Sequence, residues 1–357
     1  MFGKTMLMDL RKGWKGFLIF IVVVSIVAAG YPQMHPAFVE DLESDELHGA
    51  EFVTLEIYED EIHLSWLVPD GFEGAEWLVV DDGNPYMATY RERNRTYENH
   101  TILDKNDDIR YFGVIGLVNG EEKPLGMTST EEATDPVEEL MDTPFVRLFS
   151  AGRDDLSMAD MAGFVSIEVY SWWIILVGVF LSYISVKSIT DDMENRRMDI
   201  IFSTSISRKK YLLEKFSALT LFVLVMHIVA GLMMSLSIYS VGEPVGSSYL
   251  VAMLIAVPLF MVIIAMSMFF AVLLKKSRTA VGLSFGVVLI QFGFFATGHL
   301  VESLSGVHPF TLPHYWDYNS VLLDGVVYPW HIFLLLLLAV ATFAATLKVF
   351  QNSDIPS

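Results

Sequence analysis

Six apolar runs, each near the ~20 residues that carry a helix across a bilayer, leave this chain few folds to choose from. They are Gly16 to Tyr31, Phe164 to Val186, Tyr211 to Ser240, Tyr249 to Leu274, Thr279 to Thr297 and Val327 to Phe350. The fold class read from them is membrane all-α with six transmembrane helices. Composition agrees, since 53% of the residues are hydrophobic and the mean hydropathy is +0.46, values that a soluble chain with one core does not reach.

Charge orients the spans. Fifteen of the 23 Lys and Arg residues fall in four short segments: Met1 to Gly16, Lys187 to Lys215, Lys275 to Arg278, and the tail with Lys348. By the positive-inside rule these segments face the cytoplasm, which places both termini there and predicts a multi-pass protein of the cell membrane. Trp172, Trp173, Tyr249, Tyr328 and Trp330 sit at the expected outer ends, where amphipathic rings favour the headgroup region. The remaining eight bases lie in one insert, Pro32 to Asp160, together with 31 acids, a balance of −23. A basic inner rim suits membrane lipids with anionic headgroups or an acidic partner, whereas the acidic insert repels nucleic acid. The chain has no cysteine, which excludes disulfides and thiolate metal sites.

Residues 1–16 read as an amphipathic interfacial helix, because Phe2, Met6, Leu10 and Trp14 recur at helical spacing with charges on other sides. Residues 17–31 follow as the first span. A basic start, a short apolar run and Ala28-Ala29-Gly30 also resemble a secretory signal, and a retained span is the reading adopted.

The insert, 32–160, reads as an extracytoplasmic β-rich domain. Phe52 to Tyr58 and Ile62 to Val68 alternate at period two around Asp60-Glu61, which suggests a hairpin. Trp77 to Val80 and Tyr111 to Val118 are further strands, and Asn119-Gly120 is a two-residue turn signal. Asp135 to Phe149 looks helical apart from Pro144, and Ser157 with Asp160 forms a capping pattern ahead of the second span, 161–190. Asn94-Arg95-Thr96 and Asn99-His100-Thr101 are sequons, which makes Asn94 and Asn99 candidate glycan acceptors.

Residues 191–210 carry the most functional information. Met193 to Phe216 begins charged, turns apolar at Met198, Ile200, Ile201 and Phe202, passes a Ser-rich turn, and restarts as a basic helix. This is a short helix on the inner membrane surface joined to two spans, so a partner gripping it moves both.

Here the chain resembles the membrane subunit of ABC-2 type exporters, the permease half of an ATP-binding-cassette transporter. Asp192 and Glu194 match the family's paired acids, Ile200-Ile201-Phe202 its apolar triplet, Ser207-Arg208 its Ser-Arg, and Lys215 its final lysine. Arg196-Arg197 stand in place of Gly-Thr, Ser205 in place of proline and Glu214 in place of glycine. The resemblance extends to His308-Pro309-Phe310 and Leu312 to Gly325, an outer re-entrant segment near 298–326 before the last span; the tail is 351–357. It implies two permease subunits, as homodimer or heterodimer, assembled with ABC-type ATP-binding subunits that dock on the short coupling helix. Asp192, Glu194, Arg196, Arg197, Met198, Asp199, Phe202 and Arg208 are then the expected docking residues. No Gly-rich loop ending in Gly-Lys-Ser/Thr occurs, so this chain is read as non-catalytic and cofactor-free, with ATP and Mg held by the partner.

Other positions carry secondary expectations. Gly282 and Gly286 form a GxxxG in the fifth span that serves either a dimer seam or packing within the chain. His227 and Gln291, polar at membrane depth, are candidates for the translocation path or for interhelical hydrogen bonds. Pro258 marks a kink in the fourth span. His299, Glu302, His308 and His314 crowd the outer segment, but their spacing matches no standard metal site, and none is expected. Two other classes were weighed: a membrane-anchored receptor or assembly scaffold, and an intramembrane hydrolase, for which the polar groups are too scattered.

Overall fold

The structure is a computed structural model that describes residues 4–45, 52–58, 61–69, 71–72, 74–84, 89–104, 111–118, 120–129, 143–150, 153, 155–203 and 206–353. It divides into two compact units, Met1–Pro36 with Met141–Ser357, and Ala37–Leu140. The second unit lies inside the expected 32–160 insert.

The opening helix α1 runs unbroken from Lys4 to Asp45. The expected boundary at residue 16 and the end at Tyr31 are therefore both corrected. Pro32 and Pro36 lie inside this helix and remove two of its backbone donors. The loss is tolerated because flanking side chains anchor the turn: Gln33 Nε2 donates to the Ser237 carbonyl at 3.1 Å and to Ser240 Oγ at 2.7 Å, and His35 Nε2 lies 2.9 Å from the Ala159 carbonyl. The apolar window of α1 is Lys15–Val39.

Helix α2 (Pro144–Phe149) starts with proline at its first position and Thr143 accepting from the Val146 N–H, where a proline costs no hydrogen bond. The rest of the expected 135–149 helix, residues 135–142, lies outside the described residues. The second span is α3 (Met161–Val165), a π turn at Ser166–Tyr170, and α4 (Ser171–Glu194), longer than the expected 161–190. Asp160, not Ser157, is the N-cap, and Ser157 Oγ instead accepts from the Ala159 N–H. In the π turn the Ser171 hydroxyl donates to the Ile167 carbonyl, and Ser166 donates to Asn319.

After α5 (Arg197–Ser203) come α6 (Arg208–Ser240), α7 (Ser248–Leu254), α8 (Val257–Leu274) and α9 (Ser277–Leu300). The fourth span is thus two helices, and Pro258 opens the second of them at a position needing no N–H. The outer segment consists of 3-10 helices at Glu302–Phe310 and Pro313–Tyr315 and then α10 (Tyr318–Leu323), before α11 (Pro329–Asn352). Among the described residues six helices are long and apolar enough to cross a membrane. The second and fourth spans form the packed centre, buried over 67% and 61% of their apolar windows, against 22% for the first, fifth and sixth. Gly178 permits this, since a Cβ there would press on Val288 and Ile263 at 3.2 and 3.3 Å. Trp173 and Tyr249, expected at the interface, are buried struts, whereas Trp172, Tyr328 and Trp330 remain exposed. Arg153 donates to both Asp155 and Asp324, and these bonds hold both carboxyls below the usual carboxylate range.

The other unit is antiparallel throughout. Strands β1 (Val53–Ile57), β2 (Glu61–Trp66) and β5 (His100–Asp104) form a sheet in the order β1-β2-β5. Strands β3 (Glu76–Asn84), β4 (Thr89–Thr96), β6 (Tyr111–Val118) and β7 (Glu121–Ser129) form another in the order β4-β3-β6-β7. Alternation places Ile62, Leu64 and Trp66 of one sheet against Trp77, Val79, Phe112 and Val114 of the other in one core. The first hairpin and the β6–β7 turn, with Gly120 at φ +84°, fall where the sequence places them.

Gly163 is the tightest backbone position in the second span's entry, because a Cβ there would collide with the Ser157 carbonyl. Gly163→Ala should cost about 1–3 kcal/mol. Gly30→Ala, with nothing within 4 Å, is the neutral or stabilising control; thermal unfolding in detergent reads both.

Candidate functional site

The site begins where the second span stops. Asn195 closes α4 by donating Nδ2 to the Asp191 carbonyl at 2.7 Å, and Arg196 turns the chain with φ +53°, a left-handed conformation rare for a side chain of its size. Helix α5 follows, and Ser207 caps α6 by accepting from the Lys210 N–H at 3.3 Å. Two short helical breaks thus bracket α5 and fix its direction.

Four spans hold this loop. Asp192, on α4, is buried; its Oδ2 accepts from Tyr211 Oη at 2.8 Å and from Lys215 Nζ at 3.1 Å, both one turn apart on α6. The Lys215 side chain is 1% exposed and lies 4.9 Å from the Tyr211 ring centroid, so its charge is met by a carboxylate and an aromatic face. Glu194 reaches the fifth span, where its Oε1 accepts from the Ser277 N–H at 2.9 Å. A negative side chain at a helix N-terminus is favourable there. Phe202, on α5, packs against Tyr211 and Phe350 at 5.6 and 6.2 Å. Arg208 binds the sixth span by donating Nη1 to the carbonyls of Phe350, Gln351 and Ser353 at 3.2, 3.2 and 2.9 Å.

This geometry sorts the expected docking residues. Asp192 and Met198, expected in the docking set from the resemblance, are buried, at 6% and 1% exposure, and present no surface. Glu194, Phe202 and Arg208 tie α5 and its flanks to other spans. Arg196, Arg197 and Asp199 remain exposed, with Arg197 Nη1 4.0 Å from Asp192 Oδ1. Ile200, absent from the expected set, is 70% exposed on the same short helix. Tyr211 is the other residue the sequence reading missed, and the signal was its position four before Lys215 on one helical face.

His227 is fully buried; its Nδ1 lies 2.8 Å from the Val223 carbonyl and its Nε2 accepts from Trp173 Nε1 at 3.1 Å. Both ring nitrogens are satisfied, so it is a strut and not a path-lining group. Gln291 accepts from the Leu312 N–H at 2.8 Å and anchors the outer segment to the fifth span. A Cβ at Gly282 or Gly286 would meet nothing within 4 Å, so among the described residues neither makes a close packing contact. Both sequon amides are engaged: Asn94 Nδ2 donates to Thr101 Oγ1 at 2.7 Å, and exposed Asn99 donates to the Trp66 carbonyl at 3.4 Å.

Residues 4–312 match the model of a family described as ABC-2 family transporter protein. The chain belongs to the ABC-2 transporter family. No curated protein matches it. The match takes in the first five spans and the whole loop around α5, and this ABC-2 chain is a multi-pass membrane transport component.

In this ABC-2 subunit Lys215→Met removes the buried cation from Asp192 and leaves it the half-exposed Arg197 at 4.0 Å. That change should cost about 3–5 kcal/mol, and adding Asp192→Leu should recover most of the loss. Thermal unfolding of the purified protein reads both variants.

Proposed function

We propose that this chain is the permease subunit of an ABC-2 exporter, in which a separate ATP-binding subunit supplies hydrolysis and grips α5 from the cytoplasm. The observation that carries the reading is the four-way attachment of α5 and its flanks, through Asp192 and Lys215, Glu194 and Ser277, and Arg208 and the end of α11. A push on the exposed Arg196, Arg197, Asp199 and Ile200 is delivered to the second, third, fifth and sixth spans together, because helices are stiff and these links are short. A receptor or scaffold needs no such attachment. The basic loops support a reading in which α5 and both termini face the cytoplasm and the chain lies in the cell membrane. ATP and Mg belong to the partner in this reading.

Two copies of the chain, or this chain and a related one, enclose the path. Gly282 and Gly286 favour the fifth span as the seam, since their face is open and small residues let helices approach closely. Glu194 ties that same span to the α5 loop, so force applied inside reaches the seam directly.

Arg196→Glu with Ile200→Glu alters only exposed side chains of the α5 region and should weaken co-purification of the ATP-binding subunit at least tenfold. Undiminished co-purification would contradict the docking surface. The chain has no cysteine, so single replacements Gly282→Cys and Gly286→Cys test the seam. Oxidation should give disulfide-linked dimers from both, and monomers only would exclude it.

A further inference from the structure

Four imidazoles from separate elements meet at the end of the fifth span remote from Lys275, Lys276 and Arg278. His299 lies in the last turn of α9, His308 in the first 3-10 helix, His314 in the second, and His331 in the first turn of α11. Their ring centroids form a chain, 4.0 Å from His299 to His308, 6.3 Å on to His314 and 5.8 Å on to His331. The sequence placed three of these side by side; His331 is added by the fold. A Cβ at Gly298 would collide with the His308 ring, so glycine makes the seat for it.

Three ring nitrogens in this chain, His299 Nε2, His308 Nε2 and His331 Nδ1, are buried and have no hydrogen-bond partner. Buried polar atoms are rarely left this way, and three together call for a ligand. Among the described residues no three His, Asp or Glu groups are placed to hold a metal ion, which points to the proton. The other ionisable groups facing the cluster are Tyr315, whose ring lies 5.1 and 5.4 Å from His314 and His331, Tyr328 at 5.4 Å from His331, and Asp317 near His314.

We propose that the four histidines form a proton-operated latch: neutral, they pack the 3-10 segments against the fifth and sixth spans, and protonated, they drive those segments away. Stacked rings 4.0 Å apart cannot both carry charge without strong repulsion. Burial, His331 and His308 all lower the proton affinity of His314, and only Asp317 raises it, so its folded pKa lies below the ordinary 6.5. Such a group binds protons more readily once released. The closed form therefore holds its full stability above about pH 6.5 and loses it as the pH falls through that value toward the lowered pKa. The tethers Gln291 to Leu312 and Tyr315 to the Pro309 carbonyl would limit how far the segment moves.

The test is hydrogen exchange of the full chain in lipid nanodiscs, corrected for the intrinsic pH dependence of exchange, at pH 7.5 and 5.5. Protection across residues 302–316 should fall at least tenfold at the lower pH. His308→Gln with His314→Gln keeps polar side chains of similar size that cannot titrate, and should reduce the change to less than twofold. Asp317→Asn, which keeps an acceptor for its cap on Ser320, removes the group that raises the proton affinity of His314 in the closed form, so it should deepen the loss of protection at pH 5.5, and it serves if the double variant does not fold. Constant protection in the unaltered chain, a tenfold fall retained in the double variant, or a fall in Asp317→Asn no deeper than in the unaltered chain would each overturn the latch.

Discussion

A buried ion pair, Asp192 with Lys215, is the constraint on which this end of the bundle depends. Both side chains are withdrawn from water, so neither can be left alone, and the pair accepts only a geometry in which α4 and α6 keep their present register. Packed apolar side chains of the same size would hold the two spans together as well, but they would accept several registers. With the register fixed, Arg196 turns the chain out of α4 in a left-handed step and α5 can lie only where it does. The bonds of Glu194 to the fifth span and Arg208 to the sixth then follow from the positions of the loop's two ends.

The six spans were legible because apolar length and basic loops are one-dimensional signals. Boundaries were less so. The first span reads as ending at Tyr31, where the apolar run stops, yet α1 continues through Pro32 and Pro36, since Gln33 and His35 find partners on distant segments that no local rule sees. The alternating strands β1, β2, β3 and β6 were visible, whereas β4, TYRERNRT, carries too many charges to show a buried face and was missed with β5 and β7. In the candidate site the segment was readable and the individual roles were not. Asp192 and Arg197 look alike as loop charges, and only the fold separates the one that is buried under Lys215 from the one that faces outward.

The two ends of the bundle are built on opposite principles. Around α5, charged groups meet opposite charges, a hydroxyl or backbone groups, and the carbonyls at the end of α11 are capped, which makes a stiff junction. At the far end, 3-10 turns replace α-helix, a π turn interrupts the second span, and several imidazole nitrogens go unmatched. Between them the second and fourth spans are packed tightly enough to carry a displacement from one end to the other, while the fifth keeps an open glycine face. In the proposed reading, force enters at the stiff end and the outer segment yields at the loose one.

In the proposed reading α5 lies in the cytoplasm and is open to a partner there. The most direct test is Ile200→Cys in this cysteine-free chain, labelled with a membrane-impermeant maleimide in intact and in permeabilised cells. The account predicts labelling only after permeabilisation, and protection from it when the ATP-binding subunit is co-expressed. Labelling in intact cells would contradict it.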